Sequence, residues 1–338
     1  MAEGNDPSAI KRLHKTTHSS GGDDTFGAIG DDWFQTREGS WCDSYKERQV
    51  RLLKKELAPL AAIPIQDIKA PTLIAVIRKI EARDHVETAI RTNRIASRVF
   101  CHGIALGFGE ADPAAQIAGA LRTRKSNHFA AITDPKELGA VLAAFDAYPG
   151  TTLVRAALKL TPLLLVRPGE LRHMEWSEVR LDDATWTIPG PKMKRRREHL
   201  VPLARQAVAV LRDLFALTGN ERWVMPSQRS TSRAMSEAAV LGAMRRMGIG
   251  KDEATPHGFR ATARTLLAEV LNYPTDLIEH QLAHAVRDAT GEAYNRTRFL
   301  PQRMDMMQAW ADYLDRLQEP EKLRLVETND TRSRGAYV

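Results

Sequence analysis

The stretch Trp186–Leu203, WTIPGPKMKRRREHLVPL, carries two short β-prone runs, Trp186–Ile188 and His199–Pro202, on either side of a turn. The turn opens with Pro-Gly-Pro and packs Lys192, Lys194, Arg195, Arg196 and Arg197 into six residues. Such a pattern predicts a β-hairpin with a basic tip. Everywhere else the apolar residues recur at intervals of three and four, which predicts helices. Downstream these cover Arg205–Ala216, Met235–Met247, Gly258–Val270, Thr275–His280 and Pro301–Leu317. Upstream they cover Pro135–Ala147 and Thr151–Val166, the first starting at Asp134-Pro135, a strong helix-start signal. The expected fold is mainly α, with one small β-hairpin set in its second half.

A chain of 338 residues suggests two domains of ordinary size. Helical patterning begins near Phe26 and continues through Ser44–Leu57, Pro71–Arg83, His85–Leu106 and Ala114–Leu121. The polar run TRKSNHFAAITDPKE then separates this block from the helices around the hairpin. The opening residues, with HSSGGDDT, read as a linker. The expected division is a flexible tail at 1–25, a helical domain at 26–124, a connection at 125–134, a second domain at 135–317 and a charged tail at 318–338.

The formal net charge of +7 favours a polyanionic partner, nucleic acid before an anionic membrane surface. The apolar fraction of 43% is ample for two cores, yet no apolar run reaches the length of a membrane span. MAEGNDPSAIKRLHK lacks the apolar centre of a signal peptide. Cys42 and Cys101 form neither a metal-type spacing nor a disulfide framework, which suits a reducing cytoplasmic setting.

No phosphate-binding loop GxxxxGK[ST], GxSxG elbow or CxxC pair occurs. His280-Gln-Leu-Ala-His284 has two histidines at zinc-ligand spacing, but Gln281 stands where a zinc protease needs its glutamate, so no metal site is expected. Five separated pieces remain: Arg167-Pro-Gly-Glu170-Leu, the basic turn, His257-Gly-Phe-Arg260, Leu282-Ala-His284 and Ala293-Tyr294-Asn-Arg. Each alone has an ordinary explanation. Arg167 could complement a helix C-terminus, His257 could cap a helix, the basic turn could be a solvated tip, and Tyr294 could be packing.

Together and in this order, RPGEL…KMKRRREHLVPL…HGFR…QLAH…AYNR resembles the catalytic domain of the tyrosine recombinases, the phage-integrase family. The tail AYNRTRFLPQRMDMMQAWADYLD resembles integrases of satellite phages and genomic islands. The resemblance covers about 135–317, and the helical block before it is similar to the family's core-binding domain. It implies a two-domain clamp on DNA that cuts and rejoins strands through a 3′-phosphotyrosine link, integrating or excising a mobile element. By the same resemblance Tyr294 is the nucleophile, with Arg167, Lys194, His257, Arg260 and His284 completing the catalytic set and Glu170 orienting Arg167. Lys194 is preferred to Lys192 because the family's lysine lies eight residues before the proline that closes the second strand, here Pro202. Lys192, Arg195, Arg196 and Arg197 would touch DNA.

No cofactor and no ATP are implied. The partners implied are double-stranded attachment-site DNA, three further copies of the chain in a tetramer on that DNA, and an excisionase or DNA-bending host protein as accessories. The setting would be the bacterial nucleoid. Relatives usually carry an N-terminal domain that binds arm sites. GNDPSAIKRLHK reads as the end of that domain's linker, so the domain is expected to be missing here. Two other readings are a type IB topoisomerase-like enzyme that relaxes supercoils and a regulator that binds DNA without cutting it. Tyr273 and Tyr313 would be the next nucleophile candidates after Tyr294.

The residue types suit the chemistry. A free phenol of pKa about 10 is only about one part in a thousand ionised at neutral pH, so it needs a base or a strong positive field. Two guanidiniums can each fork onto the oxygens of the attacked phosphate. A lysine on a mobile hairpin can protonate the departing 5′-oxygen.

Overall fold

The computed structural model describes residues 24–123, 130–284 and 299–318, and the chain divides into two compact units, Met1–Asn127 and His128–Val338. The first unit is wholly helical among its described residues. Helix α1 (Phe26–Glu38) begins where the Thr25 hydroxyl accepts the Ala28 N–H. It buries Phe26, Ile29 and Trp33, residues spaced at three and four along one face. Helix α2 (Asp43–Arg51) does not continue as an α-helix to Leu57, as its periodicity predicts. It widens into a π turn over Leu52–Glu56, and that turn sends both Leu52 and Leu53 into the core. Helices α3 (Ala70–Glu81) and α4 (Val86–Ala105) pack on each other, and Phe26 meets Phe100 at 5.3 Å between ring centroids. Helix α5 (Pro113–Ile117) starts at Asp112, which accepts the N–H groups of Ala114 and Ala115. It closes in a 3₁₀ turn, short of the predicted end at Leu121.

The second unit surrounds a larger core. Helix α6 (Pro135–Asp146) starts at Asp134, whose carboxylate accepts from the N–H groups of Lys136 and Glu137. Helix α7 (Thr152–Leu164) is the apolar centre, with Ala156 through Leu158 and Leu160 through Leu164 all buried. It is followed by the short helix α8 (Pro168–Arg172). The predicted hairpin is present as β2 (Thr185–Ile188) and β3 (His199–Pro202), in a register that sets Trp186 against Val201 and Ile188 against His199. Trp186, Ile188 and Val201 are fully buried, so this face closes on the core. A third strand, β1 (Val179–Arg180), adds to β2.

Helix α9 (Arg205–Thr218) follows, and then a second hairpin of β4 (Pro226–Ser227) and β5 (Ser230–Ala234). This second hairpin shortens the helix expected from Met235. The Met235 N–H donates to the Met225 carbonyl across the hairpin, and α10 begins at Ala238 (Ala238–Arg246). Helices α11 (Gly258–Glu269), α12 (Thr275–Gln281) and α13 (Leu300–Gln318) complete the unit. No described helix is long and apolar enough to cross a membrane.

Helix α13 touches α6, α7, α9, α12 and β3. Met306, Met307 and Trp310 are fully buried on it, and the Trp310 indole N–H donates to the Pro162 carbonyl at 2.8 Å. Its crossing with α6 is tight enough to require a glycine: a Cβ on Gly139 would lie 2.3 Å from the Leu317 carbonyl oxygen. Gly139→Ala is therefore expected to destabilise the second unit by about 1–3 kcal/mol through overpacking. This runs against the usual gain of about 0.5–1 kcal/mol for alanine in a helix interior. Urea unfolding followed by tryptophan fluorescence measures it, and an unchanged or raised midpoint would show the crossing to be slack.

Candidate active site

The site starts where α7 stops. Leu165 takes a left-handed conformation, φ 58°, which ends the helix and leaves its carbonyl available to a donor from elsewhere. Two residues later Arg167 stands at the N-terminus of α8. The Glu170 carboxylate accepts both the Arg167 main-chain N–H at 2.8 Å and its guanidinium at 2.6 Å. Glu170 is buried, so one carboxylate fixes the start of α8 and the aim of the Arg167 fork together.

Arg260, in the first turn of α11, is only 5% exposed. Its guanidinium donates to the Leu165 carbonyl and, at 2.6 Å, to the Leu282 carbonyl. It also lies 3.1 Å from His284 Nε2. Burial, and then the Arg167 charge, pulls the Arg260 pKa down to about 10, which leaves it charged at neutral pH. A buried cation is stable only with partners of this kind. A guanidinium has five N–H groups, so two are not used in these three bonds.

Because arginine can only donate, His284 Nε2 accepts and Nδ1 carries the proton. Nδ1 lies 2.5 Å from Glu279, whose other oxygen accepts Arg264 at 2.5 Å. Burial pushes the Glu279 pKa up, but the bonds from Arg264 and His284 outweigh it and the net shift is downward. Glu279 stays a carboxylate and holds the imidazole in one tautomer. His257 immediately precedes α11. Burial first, then the positive charges of Arg260 and Arg167, lower its pKa, so it is a neutral imidazole able to accept a proton. Two fixed guanidiniums beside a neutral imidazole suit an anion that gains charge and a nucleophile that sheds a proton.

Three participants have no place in the motif reading: Glu279, His199 and Arg303. Arg303 on α13 is buried. It donates to Gln281 Oε1 at 3.0 and 2.8 Å and to the Leu200 carbonyl at 2.6 Å, lacing α12 to β3. A signal for it exists in the spacing Arg303, Met306, Met307, Trp310, Leu314, Leu317: a charge on the apolar face of a helix. His199 on β3 lies 3.1 Å from the Gln281 carbonyl. Burial, then the charge of Arg303, pushes its pKa down to about 3.

The basic turn divides in two. The Lys192 ammonium donates to Glu175 at 2.6 Å, to Glu178 and to the His173 carbonyl at 2.9 Å, and it lies 5.5 Å from the Trp223 ring. The ammonium expected to touch DNA is thus engaged by two carboxylates and a carbonyl of its own chain. Glu175 is held at about 2, first by its bond from Arg222, with burial opposing and Lys192 adding to the fall. Lys194, Arg195, Arg196 and Arg197 are all exposed. The hairpin is not loose at its base, as a mobile tip would be, because Lys192 and the buried Met193 pin it.

Tyr294 lies outside the described residues. The two fallback tyrosines are poor nucleophiles. Burial raises the Tyr313 pKa, and its hydroxyl has no hydrogen-bond partner among the described residues. Tyr273 is raised by burial and then by Asp305. The paired histidines serve different neighbours: His284 faces Glu279, and the His280 ring meets Phe299 at 5.5 Å. Among the described residues no three His, Cys, Asp or Glu side chains converge as a metal site.

The chain is similar to several known proteins. The phage integrase central domain matches residues 26–120, and the phage integrase family matches residues 132–300. The integrase of Enterobacteria phage P4 is 33% identical over 330 residues, 93% of this chain and 74% of that protein. The prophage integrase IntZ of Escherichia coli K12 is 37% identical over 291 residues, 86% of this chain and 71% of that protein. A lambda integrase tetramer bound to a Holliday junction matches with a TM-score of 0.62 at 18% identity, over 86% of this chain and 85% of that one. The Tn1549 transposon integrase in complex with circular intermediate DNA matches at 0.60 and 13% identity, over 82% and 99%. The two structural matches carry the fold.

The half-buried His199 has a consequence for pH. An unfolded chain takes up this proton as pH falls through 6.5, whereas the folded chain resists until about 3. Between those values the unfolded state binds more protons, so stability present above pH 6.5 is lost progressively toward pH 3. His199→Gln should flatten this part of the stability profile in chemical unfolding. In the wild type, an His199 C2–H proton resonance that titrates near pH 6.5 would refute the assignment.

Proposed function

The chain belongs to the phage integrase family and is a site-specific DNA recombinase of the tyrosine class; we propose that Tyr294, Arg167, Lys194, His257, Arg260 and His284 carry its chemistry. The Tyr294 oxygen attacks a phosphodiester phosphorus and its proton passes to His257. The bond to the 5′-oxygen breaks, and that oxygen takes a proton from Lys194. A 3′-phosphotyrosine bond replaces the one lost, so a free 5′-hydroxyl of another strand can reverse the step without ATP. Arg167 and Arg260 stabilise the charge that builds on the non-bridging oxygens. Removing one preorganised donor of this kind typically costs about 10²–10³ in rate.

One observation carries this reading: the Arg260 guanidinium joins the end of α7, the end of α12 and His284 in one set of bonds. It thereby unites three motif segments that are distant in the chain, beside Arg167 and a neutral His257. A protein that only held DNA would need cationic surface but no buried guanidinium of fixed aim. The partner is double-stranded DNA, held mainly through its phosphates by exposed residues such as Arg195, Arg196 and Arg197. The net charge of +7 supports this, as do the DNA-bound states in which lambda and Tn1549 integrases are solved. The substrate is a mobile element's attachment site, recombined in a tetramer, and the setting is the bacterial nucleoid.

A nicked suicide duplex drawn from the DNA flanking the gene should trap a covalent protein–DNA adduct on a denaturing gel. Tyr294→Phe should bind the same duplex in a gel shift and yield no adduct. An adduct that persisted in this variant would move the nucleophile elsewhere. EDTA should leave the adduct yield unchanged, and its loss would restore the metal reading of His280 and His284.

A further inference from the structure

We propose that Lys192 is a positioning residue: it ties the basic hairpin to the segment that follows α8, and so sets where the Lys194 ammonium meets the departing 5′-oxygen. The proposal rests on the assignment of Lys194 as general acid. An ammonium has three N–H groups, and the Lys192 ammonium has three acceptors: Glu175, Glu178 and the His173 carbonyl. All three lie in the six residues His173–Glu178. This segment continues directly from α8, whose first residue follows Arg167. Lys192 therefore links the residue that would protonate the leaving group to the residue that would hold the phosphate.

The anchor is itself braced. Glu178 accepts the Trp186 indole N–H at 3.2 Å, and Glu175 accepts Arg222 at 2.9 and 3.0 Å. Between anchor and tip lies a closed turn. The Arg196 N–H donates to the Met193 carbonyl at 2.9 Å, and Arg196 takes a left-handed φ of 53°. A Cβ on Gly190 would lie 2.7 Å from the Arg196 carbonyl oxygen, so the two arms of the loop nearly touch. Lys194 sits within this turn, two residues from the anchor. It is exposed and forms no ion pair with a described residue. A charge at 192 that pairs with two carboxylates adds little to DNA affinity; what it does is fix a neighbour. Misplacing a reacting group by about 1 Å can cost on the order of 10²-fold in rate.

The test compares Lys192→Met, Lys192→Arg and Lys194→Ala with wild type on two suicide duplexes from the DNA flanking the gene. One carries the ordinary 5′-bridging oxygen, the other a 5′-bridging sulfur, which leaves without a proton. Lys194→Ala should form adduct about 10²–10⁴-fold more slowly on the oxygen duplex and recover on the sulfur duplex. Lys192→Met should be slowed about 10²-fold on oxygen, recover on sulfur and keep its gel-shift affinity, while Lys192→Arg should stay close to wild type. Should Lys192→Met fold poorly, Glu178→Gln weakens the same anchor from its other side and should give the same sulfur-rescued defect.

Recovery of Lys194→Ala without recovery of Lys192→Met, or of Glu178→Gln in its place, would leave the acid assignment standing and overturn the positioning role. Full activity of Lys192→Met on oxygen would overturn it too. If Lys194→Ala is not rescued, the acid assignment fails and the proposal falls with it. Rescue of Lys192→Met alone would make Lys192 itself the acid.

Discussion

A guanidinium buried in protein must find oxygen acceptors for its N–H groups, and the second unit of this chain is arranged around meeting that demand at Arg260. The acceptors are main-chain carbonyls that regular helices would have used themselves. Leu165 offers its carbonyl because α7 breaks there into a left-handed residue, and Leu282 offers its own because α12 has just ended. The helix ends are therefore part of the site. Once charged and satisfied, Arg260 determines what surrounds it. It keeps His284 in the tautomer whose Nε2 accepts, and its charge helps to hold His257 neutral. An arginine in this position is not replaceable by lysine, whose point charge cannot reach two carbonyls and a ring nitrogen in one plane.

Much of this was legible in the sequence, for identifiable reasons. The hairpin announced itself because Trp186–Ile188 and His199–Pro202 are the β-prone runs beside a Pro-Gly-Pro turn in a chain otherwise periodic in threes and fours. Arg167, Arg260 and His284 were found because each sits in a short local motif. What stayed hidden depends on contacts between distant positions. Lys192 reads as one more basic residue of the turn until Glu175 and Glu178, 17 and 14 residues upstream, are seen to receive it. Glu279 looks like an ordinary helix-surface residue until Arg264 and His284 converge on it from different segments. The strands β1, β4 and β5 are too short for a period of two to show. The π turn at Leu52–Glu56 arises because packing of Leu52 and Leu53 overrides the local helical preference.

The basic residues divide their work by burial. Arg260 and Arg303 are inside, where their charge organises the main chain around them. Arg195, Arg196 and Arg197 are outside, where charge faces solvent. Lys192 stands between these cases, half-covered and neutralised. A net charge read from composition sums over all of them, although only the exposed ones act on a distant partner.

The lacing of α13 into this unit also orders events in time. Arg303 and Trp310 come late in the chain, yet Arg303 joins α12 to β3 and Trp310 fills the core beneath α7. A nascent chain on the ribosome can have made everything through His284 and still lack the helix that ties α12 to β3 and fills the core. Synthesis thus completes the core of the second unit last.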